Sequence, residues 1–152
     1  MSIANQKGGV GKTTTAINLA TALVAINKKV LIIDLDAQGN ASTGLGIALE
    51  NRSLSTYDVI VGNSDLSAVI KNTSVPDLFI APATTDLSSS DVDLVSNEKR
   101  TMVLKESMDR LLKNSSDFDH IIIDCPPALS LLTINAFVAS DSVLVPLQAE
   151  FF

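Results

Sequence analysis

The stretch Lys7-Gly8-Gly9-Val10-Gly11-Lys12-Thr13-Thr14 constrains this chain more than any other. It follows a short apolar segment, Ser2-Ile3-Ala4, and opens an apolar run from Thr15 to Ile26. That order reads as strand, glycine loop, helix. A loop of this kind turns backbone N–H groups toward phosphate oxygens, and the helix N-terminus adds partial positive charge. Lys12 can reach β- and γ-phosphates, and the Thr13 hydroxyl can ligate Mg²⁺. Residues Lys7, Gly8, Gly9, Val10, Gly11, Lys12, Thr13 and Thr14 therefore form a candidate nucleoside-triphosphate site. The general pattern wants glycine where this chain has Gln6, and a second lysine, Lys7, opens the loop. A single phosphate site has no need of that extra cation. One physical use is to place charge on phosphates held by a neighbouring subunit, as an arginine finger does.

A chain of 152 residues reads as one domain and can bury a real core. Aliphatic residues dominate, aromatics make up 4% and Trp is absent, which suits a parallel sheet covered on both faces. The formal charge of −6 does not advertise nucleic-acid binding by the whole chain, although it leaves room for a local basic patch. Cys125 stands alone, so the sequence offers neither an intrachain disulfide nor a cysteine cluster for metal, and a reducing, cytoplasmic setting is expected. No signal peptide is visible, and no apolar run is long enough to span a bilayer.

Strand and helix patterns alternate. Short apolar segments predict strands at Ser2–Asn5, Lys29–Asp34, Leu78–Ala81, His120–Asp124 and Ser142–Pro146. Helices are expected at Lys12–Asn27, Leu66–Asn72, Lys99–Asn114 and Ala128–Ala139. The polar stretches 39–63 and 84–97 read as loops, the first with short helices, that cover the sheet or the nucleotide. The expected fold is α/β: a three-layer sandwich of P-loop NTPase type, with a mostly parallel sheet and helices on both faces. Ligands then bind at the carboxyl ends of the strands, where Lys7–Thr14, Asp34–Ser42 and Asp124–Pro127 all fall. The third helix carries Lys99, Arg100, Lys105, Arg110 and Lys113 opposite its apolar face, and this reads first as a solvated face, second as a nucleic-acid patch.

Two buried strands end in acids. Val30-Leu31-Ile32-Ile33-Asp34 is followed by Leu35-Asp36, and the period of two lets both carboxylates face one side. Asp36 extends further, so it is assigned to the attacking water and the Mg²⁺ shell; capping of a loop is the alternative for both acids. His120-Ile121-Ile122-Ile123-Asp124 has the Walker B shape, an apolar strand ending in an Asp that holds Mg²⁺ directly or through water. Pro126-Pro127 makes a stiff elbow after it, either a plain strand terminator or a lever from the phosphates to the next helix. Cys125 reads as small buried filler and His120 as a strand-entry residue.

Taken together these residues resemble the ParA/Soj family of chromosome- and plasmid-partition ATPases. The resemblance rests on Ala4–Thr15, on Asp34-Leu35-Asp36-Ala37-Gln38-Gly39-Asn40-Ala41-Ser42, and on Ile123-Asp124-Cys125-Pro126-Pro127. Leu132-Thr133-Ile134-Asn135-Ala136 and Val145-Pro146-Leu147-Gln148-Ala149-Glu150 also look like the family. It implies a single deviant Walker A ATPase domain over residues 1–152. In that pattern Lys7 matches the signature lysine that reaches the partner subunit's nucleotide in an ATP-bound dimer. Lys12 matches the loop lysine, Thr13 the Mg²⁺ ligand, Asp36 the hydrolytic acid and Asp124 the Walker B acid. The resemblance further implies ATP and Mg²⁺ as ligands, slow hydrolysis used as a switch, and a homodimer. A centromere-binding ParB-like protein would be the partner, with nonspecific DNA bound by full-length members and no membrane.

Ala37 stands where the family usually has proline, and the first strand is short. The family usually continues well beyond Phe152, so the sheet is expected to be incomplete at its C-terminal edge and DNA binding is not carried over. Val143-Leu144-Val145 is then expected at an uncovered edge that pairs with other chains. Two other functions remain beside the partition switch: a nonhydrolysing, nucleotide-dependent interaction module and a MinD-like cycling ATPase. The latter would need an amphipathic membrane helix that the sequence does not display.

Overall fold

Val30–Asp34 and His120–Asp124 are aliphatic runs that can be buried on both faces, and they form the two central strands of the sheet. The computed structural model describes residues 1–114 and 118–149. In chain order its strands are β1 (Ser2–Ile3), β2 (Val30–Asp34), β3 (Lys71–Asn72), β4 (Leu78–Ala81), β5 (His120–Asp124) and β6 (Val143–Leu144). They lie in the order β3-β4-β2-β5-β1-β6, every neighbouring pair parallel apart from β3 with β4.

The helices are α1 (Lys12–Ala25), α2 (Asn40–Gly44), α3 (Thr56–Ile60), α4 (Leu66–Val69), α5 (Ser90–Asp93), α6 (Val103–Asn114) and α7 (Leu131–Val138). Alternation along β2 divides the core. Val30 and Ile32 join Ala16 and Ala20 of α1 on one face, while Leu31 and Ile33 join Leu104, Met108 and Leu132 of α6 and α7 on the other. Helices therefore cover both faces of a mostly parallel sheet, as the sequence implies. The carboxyl ends of β1, β2 and β5 meet at one rim, where Asp34 is in register with Asp124 and Ile3 with Asp124.

Several elements are shorter than their hydrophobic patterns. α1 stops at Ala25 because Asn27 turns left-handed, with φ 62°. The pattern Leu66–Asn72 is not one helix: α4 ends at Val69, and Lys71–Asn72 pairs antiparallel with Phe79 and Ile80. Thr73 decides this, since its hydroxyl donates to the Leu78 carbonyl and accepts from the Val75 amide, closing a hairpin turn. The helix expected from Lys99 starts at Val103, and the one expected from Ala128 starts at Leu131, beyond the proline pair. The polar stretch 39–63 condenses into α2, α3 and a short turn, with Ser55 and Asp58 forming a reciprocal cap on α3.

Three of the basic side chains on and just before α6 are ion-paired. Lys99 meets Glu106 at 2.7 Å, Lys105 meets Asp109 at 3.4 Å and Arg110 meets Asp65 at 3.2 Å, which fits a solvated face. Strand β6 lies at the end of the sheet, with Val143 47% and Val145 52% exposed.

Candidate phosphate-binding site

The glycine loop takes its shape from left-handed turns. Gly9 and Gly11 have φ of 74° and 86°, a region that only glycine enters at no steric cost, and Gly11 is the N-cap of α1. That conformation points successive amides into the concavity at the helix N-terminus. Asn5 braces the approach: its side-chain oxygen accepts from the Lys7 amide at 2.9 Å, and its side-chain amide donates to the Pro146 carbonyl at 2.8 Å. Gln148 donates to the Gly9 carbonyl at 3.2 Å, so the segment after β6 crosses the mouth of the loop. Glu150, the last residue of that sequence motif, lies outside the described residues.

Lys12 opens α1 but is only 7% exposed, and its ammonium folds back to donate to the Lys7 carbonyl at 3.2 Å. A buried ammonium over a ring of amides is placed for an anion. Lys7 is exposed at the rim of the loop.

Asp124 has no exposed surface, and neither carboxylate oxygen has a hydrogen-bond partner among the described residues. Burial pushes its carboxyl up to about 7, and the charges of Asp34 and Asp36 act the same way. Thr13 and Lys12 pull in the opposite direction, Thr13 standing close without completing a hydrogen bond. A buried carboxyl beside a hydroxyl and an ammonium, with its own oxygens unpaired, offers ligands to a metal ion. The donors are hard oxygens, which fit Mg²⁺. Among the described residues no cluster of three or more His, Cys, Asp or Glu could hold a metal alone. A Mg²⁺ ion held by Thr13 and Asp124 would need phosphate oxygens and water to complete its shell, the usual arrangement for that ion.

The two acids at the end of β2 differ. Asp34 is fully buried and satisfied: it accepts from the Ser42 amide at 2.9 Å, the Ser42 hydroxyl at 2.7 Å and the Asp36 amide at 3.2 Å. Burial raises its pKa while the Ser42 bonds lower it. Capping of the turn is therefore its role. Asp36 is half-buried, and one of its oxygens accepts from the Gln38 amide at 3.0 Å. A cleft of about 150 Å³ lies beside it, walled by Ala37, Leu87, Asp91, Pro126 and Ser130.

Sequence reasoning assigned no role to Ser42 or Arg52. The Ser42 hydroxyl ties Asp34 to the Ala83 amide, received at 3.0 Å. Arg52 is 6% exposed and binds the Gly39 and Ala83 carbonyls. Nothing in the spacing around Arg52 separates it from an ordinary loop cation, since its acceptors other than the Thr43 hydroxyl are backbone carbonyls that leave no mark on the sequence. Cys125 is buried filler as expected; burial first, then the Asp124 charge, pushes its thiol up to about 12 and removes it as a nucleophile at neutral pH. His120 is exposed at the entry of β5.

Among known proteins, the family described as "AAA domain" matches residues 1–152. The sporulation initiation inhibitor protein Soj of Bacillus subtilis is 47% identical over all of this chain, which spans 59% of that protein. The chromosome partitioning protein ParA of Caulobacter vibrioides is also 47% identical over the whole chain, which covers 57% of it. The chain thus spans less than three fifths of these relatives. Cobyrinic acid a,c-diamide synthase of Mycobacterium smegmatis, solved with a bound ATP analog and magnesium, superposes with a TM-score of 0.93 at 38% identity. That match covers 99% of this chain and 60% of the other.

Proposed function

This chain belongs to the AAA domain family and stands with its ParA/Soj partition ATPases, and from that premise we propose that residues 1–152 bind Mg·ATP and hydrolyse it slowly as a molecular switch for chromosome or plasmid partition. The observation that carries the proposal is the buried Asp124 carboxylate, unpartnered beside Thr13 and Lys12 at the mouth of the glycine loop. The structural neighbour solved with an ATP analog and magnesium supports ATP and Mg²⁺ as the two ligands.

In this reading, the amides of Gly8 to Thr14 hold the phosphates and Lys12 neutralises their charge. Thr13, Asp36 and Asp124 would hold Mg²⁺. When bound, the metal screens charge on the phosphate oxygens. Asp36 faces a cleft and orients the attacking water. Lys7 projects from the rim to the nucleotide of a second copy, so the chain works as an ATP-dependent homodimer. Hydrolysis in the isolated chain is slow, well under ~1 s⁻¹, because positioning is incomplete without that second copy. Partition as a whole-protein activity brings in a centromere-binding ParB-like partner, nonspecific DNA and a cytoplasmic, nucleoid-associated location. No described helix is long and apolar enough to cross a membrane.

The test is steady-state ATP turnover with nucleotide binding measured alongside. In Asp36→Ala, turnover is expected to fall on the order of a hundredfold, with ATP affinity within about threefold of the parent. Binding with no turnover in the parent chain would assign it instead to the nonhydrolysing interaction module.

A further inference from the structure

Among the described residues, no carboxylate pairs with the buried Arg52 guanidinium. Among the described residues its acceptors are all neutral: the Ile47 carbonyl at 3.1 Å from Nε and 2.6 Å from Nη2, the Ala83 carbonyl at 3.1 Å and the Gly39 carbonyl at 3.5 Å from Nη1, and the Thr43 hydroxyl at 2.8 Å from Nη2. Burying an unpaired cation is costly, so a side chain needed only to fill space would be apolar. What the guanidinium supplies is a planar fork of five donors, which no other side chain can present.

Those donors converge on one turn. Gly39 closes the turn that carries Asp36: its amide donates to the Asp36 carbonyl at 2.8 Å, and the Gln38 amide donates to the Asp36 carboxylate. On its other side the Gly39 carbonyl accepts from the Thr43 amide at 2.9 Å, from the Thr43 hydroxyl at 3.0 Å and from Arg52. Arg52 thereby fastens the Asp36 turn to the end of β4, through Ala83, and to the loop after α2, through Ile47. Gly39 is itself left-handed, at φ 60°, and a Cβ there would run into the Arg52 guanidinium. The turn has no slack on that side. Ala37 gives it no proline ring to stiffen it from within.

We propose that Arg52 is a positioning residue for hydrolysis: it fixes the turn 36–39, and through it the Asp36 carboxylate, without touching the nucleotide. The catalytic half of this statement rests on the reading of Asp36 as the water-orienting acid; the mechanical half does not.

Amide hydrogen exchange on the nucleotide-free chain tests the mechanical half. In Arg52→Lys, peptides covering 36–44 are expected to exchange on the order of tenfold faster, with those covering the glycine loop and β2 unchanged. Thr43→Val removes one acceptor of Arg52 and one donor to Gly39 while leaving the guanidinium in place, and should give a smaller increase in the same peptides. That variant carries the test if Arg52→Lys does not fold. Turnover then reads the catalytic half: kcat falls about tenfold in Arg52→Lys, with KM within about twofold. Unchanged exchange at 36–44 in both variants would overturn the proposal, and so would acceleration spread evenly over the chain, which is the signature of a merely structural residue. If the turn loosens as expected but Asp36→Ala still hydrolyses ATP, the positioning of the turn stands and the role of Asp36 falls.

Discussion

Asp34 and Asp124 are one residue type within a single rim, and their surroundings set them apart. Asp34 is buried and satisfied by Ser42, so it builds the turn. Asp124 is buried and unsatisfied, so it carries a liability that a cation removes. Its effect on stability has a definite sign. The unfolded carboxyl ionises near 3.8 and the folded one at about 7, so between these values the fold keeps a proton that the unfolded chain has lost. Stability from this group therefore falls as pH rises through that window, and the full penalty is present above about 7. The gap corresponds to roughly 4 kcal/mol. Asp124→Asn is accordingly expected to raise the urea midpoint of the nucleotide-free protein at pH 8, with the gain shrinking toward pH 4.5, and to abolish stabilisation by Mg·ATP. An equal effect at both pH values would show that Asp124 is not held protonated by burial. Asp124 and Lys12 were legible in the sequence because strand-plus-acid and loop-plus-lysine are local patterns. Arg52 was not, because most of its acceptors are backbone carbonyls, which any residue supplies and which leave no mark on the sequence.

At the scale of elements, the sequence places each strand of the rim but overstates most helices. Hydrophobic periodicity reports which residues could be buried, whereas the ends are set by caps and turns. α7 shows this. Its apolar pattern runs back to Ala128, yet the helix starts at Leu131, and the Leu131 amide is capped at 3.1 Å by Asp91 of α5 rather than by the adjacent Ser130. The elbow from Pro126 to Ser130 is therefore held between β5, which ends in the buried Asp124, and a helix start fixed from across the Asp36 cleft. Asp91→Ala should cost about 1 kcal/mol of stability in chemical denaturation, the usual value of a lost cap, and raise exchange at the first turn of α7 alone. No change in exchange there would mean that the elbow needs no such clamp. The hairpin of β3 with β4 was hidden for a related reason: Leu66–Asn72 has helical spacing, and only the Thr73 hydroxyl bonds divert its last residues into a strand.

Over the whole molecule, alternating apolar strands and helices were enough to imply a mostly parallel sheet clad on both faces, and the six strands are arranged in that way. The short helices of the stretch 39–63 were legible, whereas the antiparallel edge contributed by β3 was not, since it turns on the Thr73 hydroxyl bonds rather than on hydrophobic spacing. The fold's consequence for function is convergence: the glycine loop after β1, the Asp36 turn after β2 and Asp124 after β5 share one rim, braced by Arg52 and Ser42. The central claim is that these residues already make a working Mg·ATP site. Calorimetric titration of Mg·ATP into this chain and into Lys12→Ala tests it most directly. Saturable binding by the parent, weakened at least about a hundredfold in the variant and lost when EDTA removes the metal, is the predicted result. Equal binding by both proteins, or none by the parent, would contradict it.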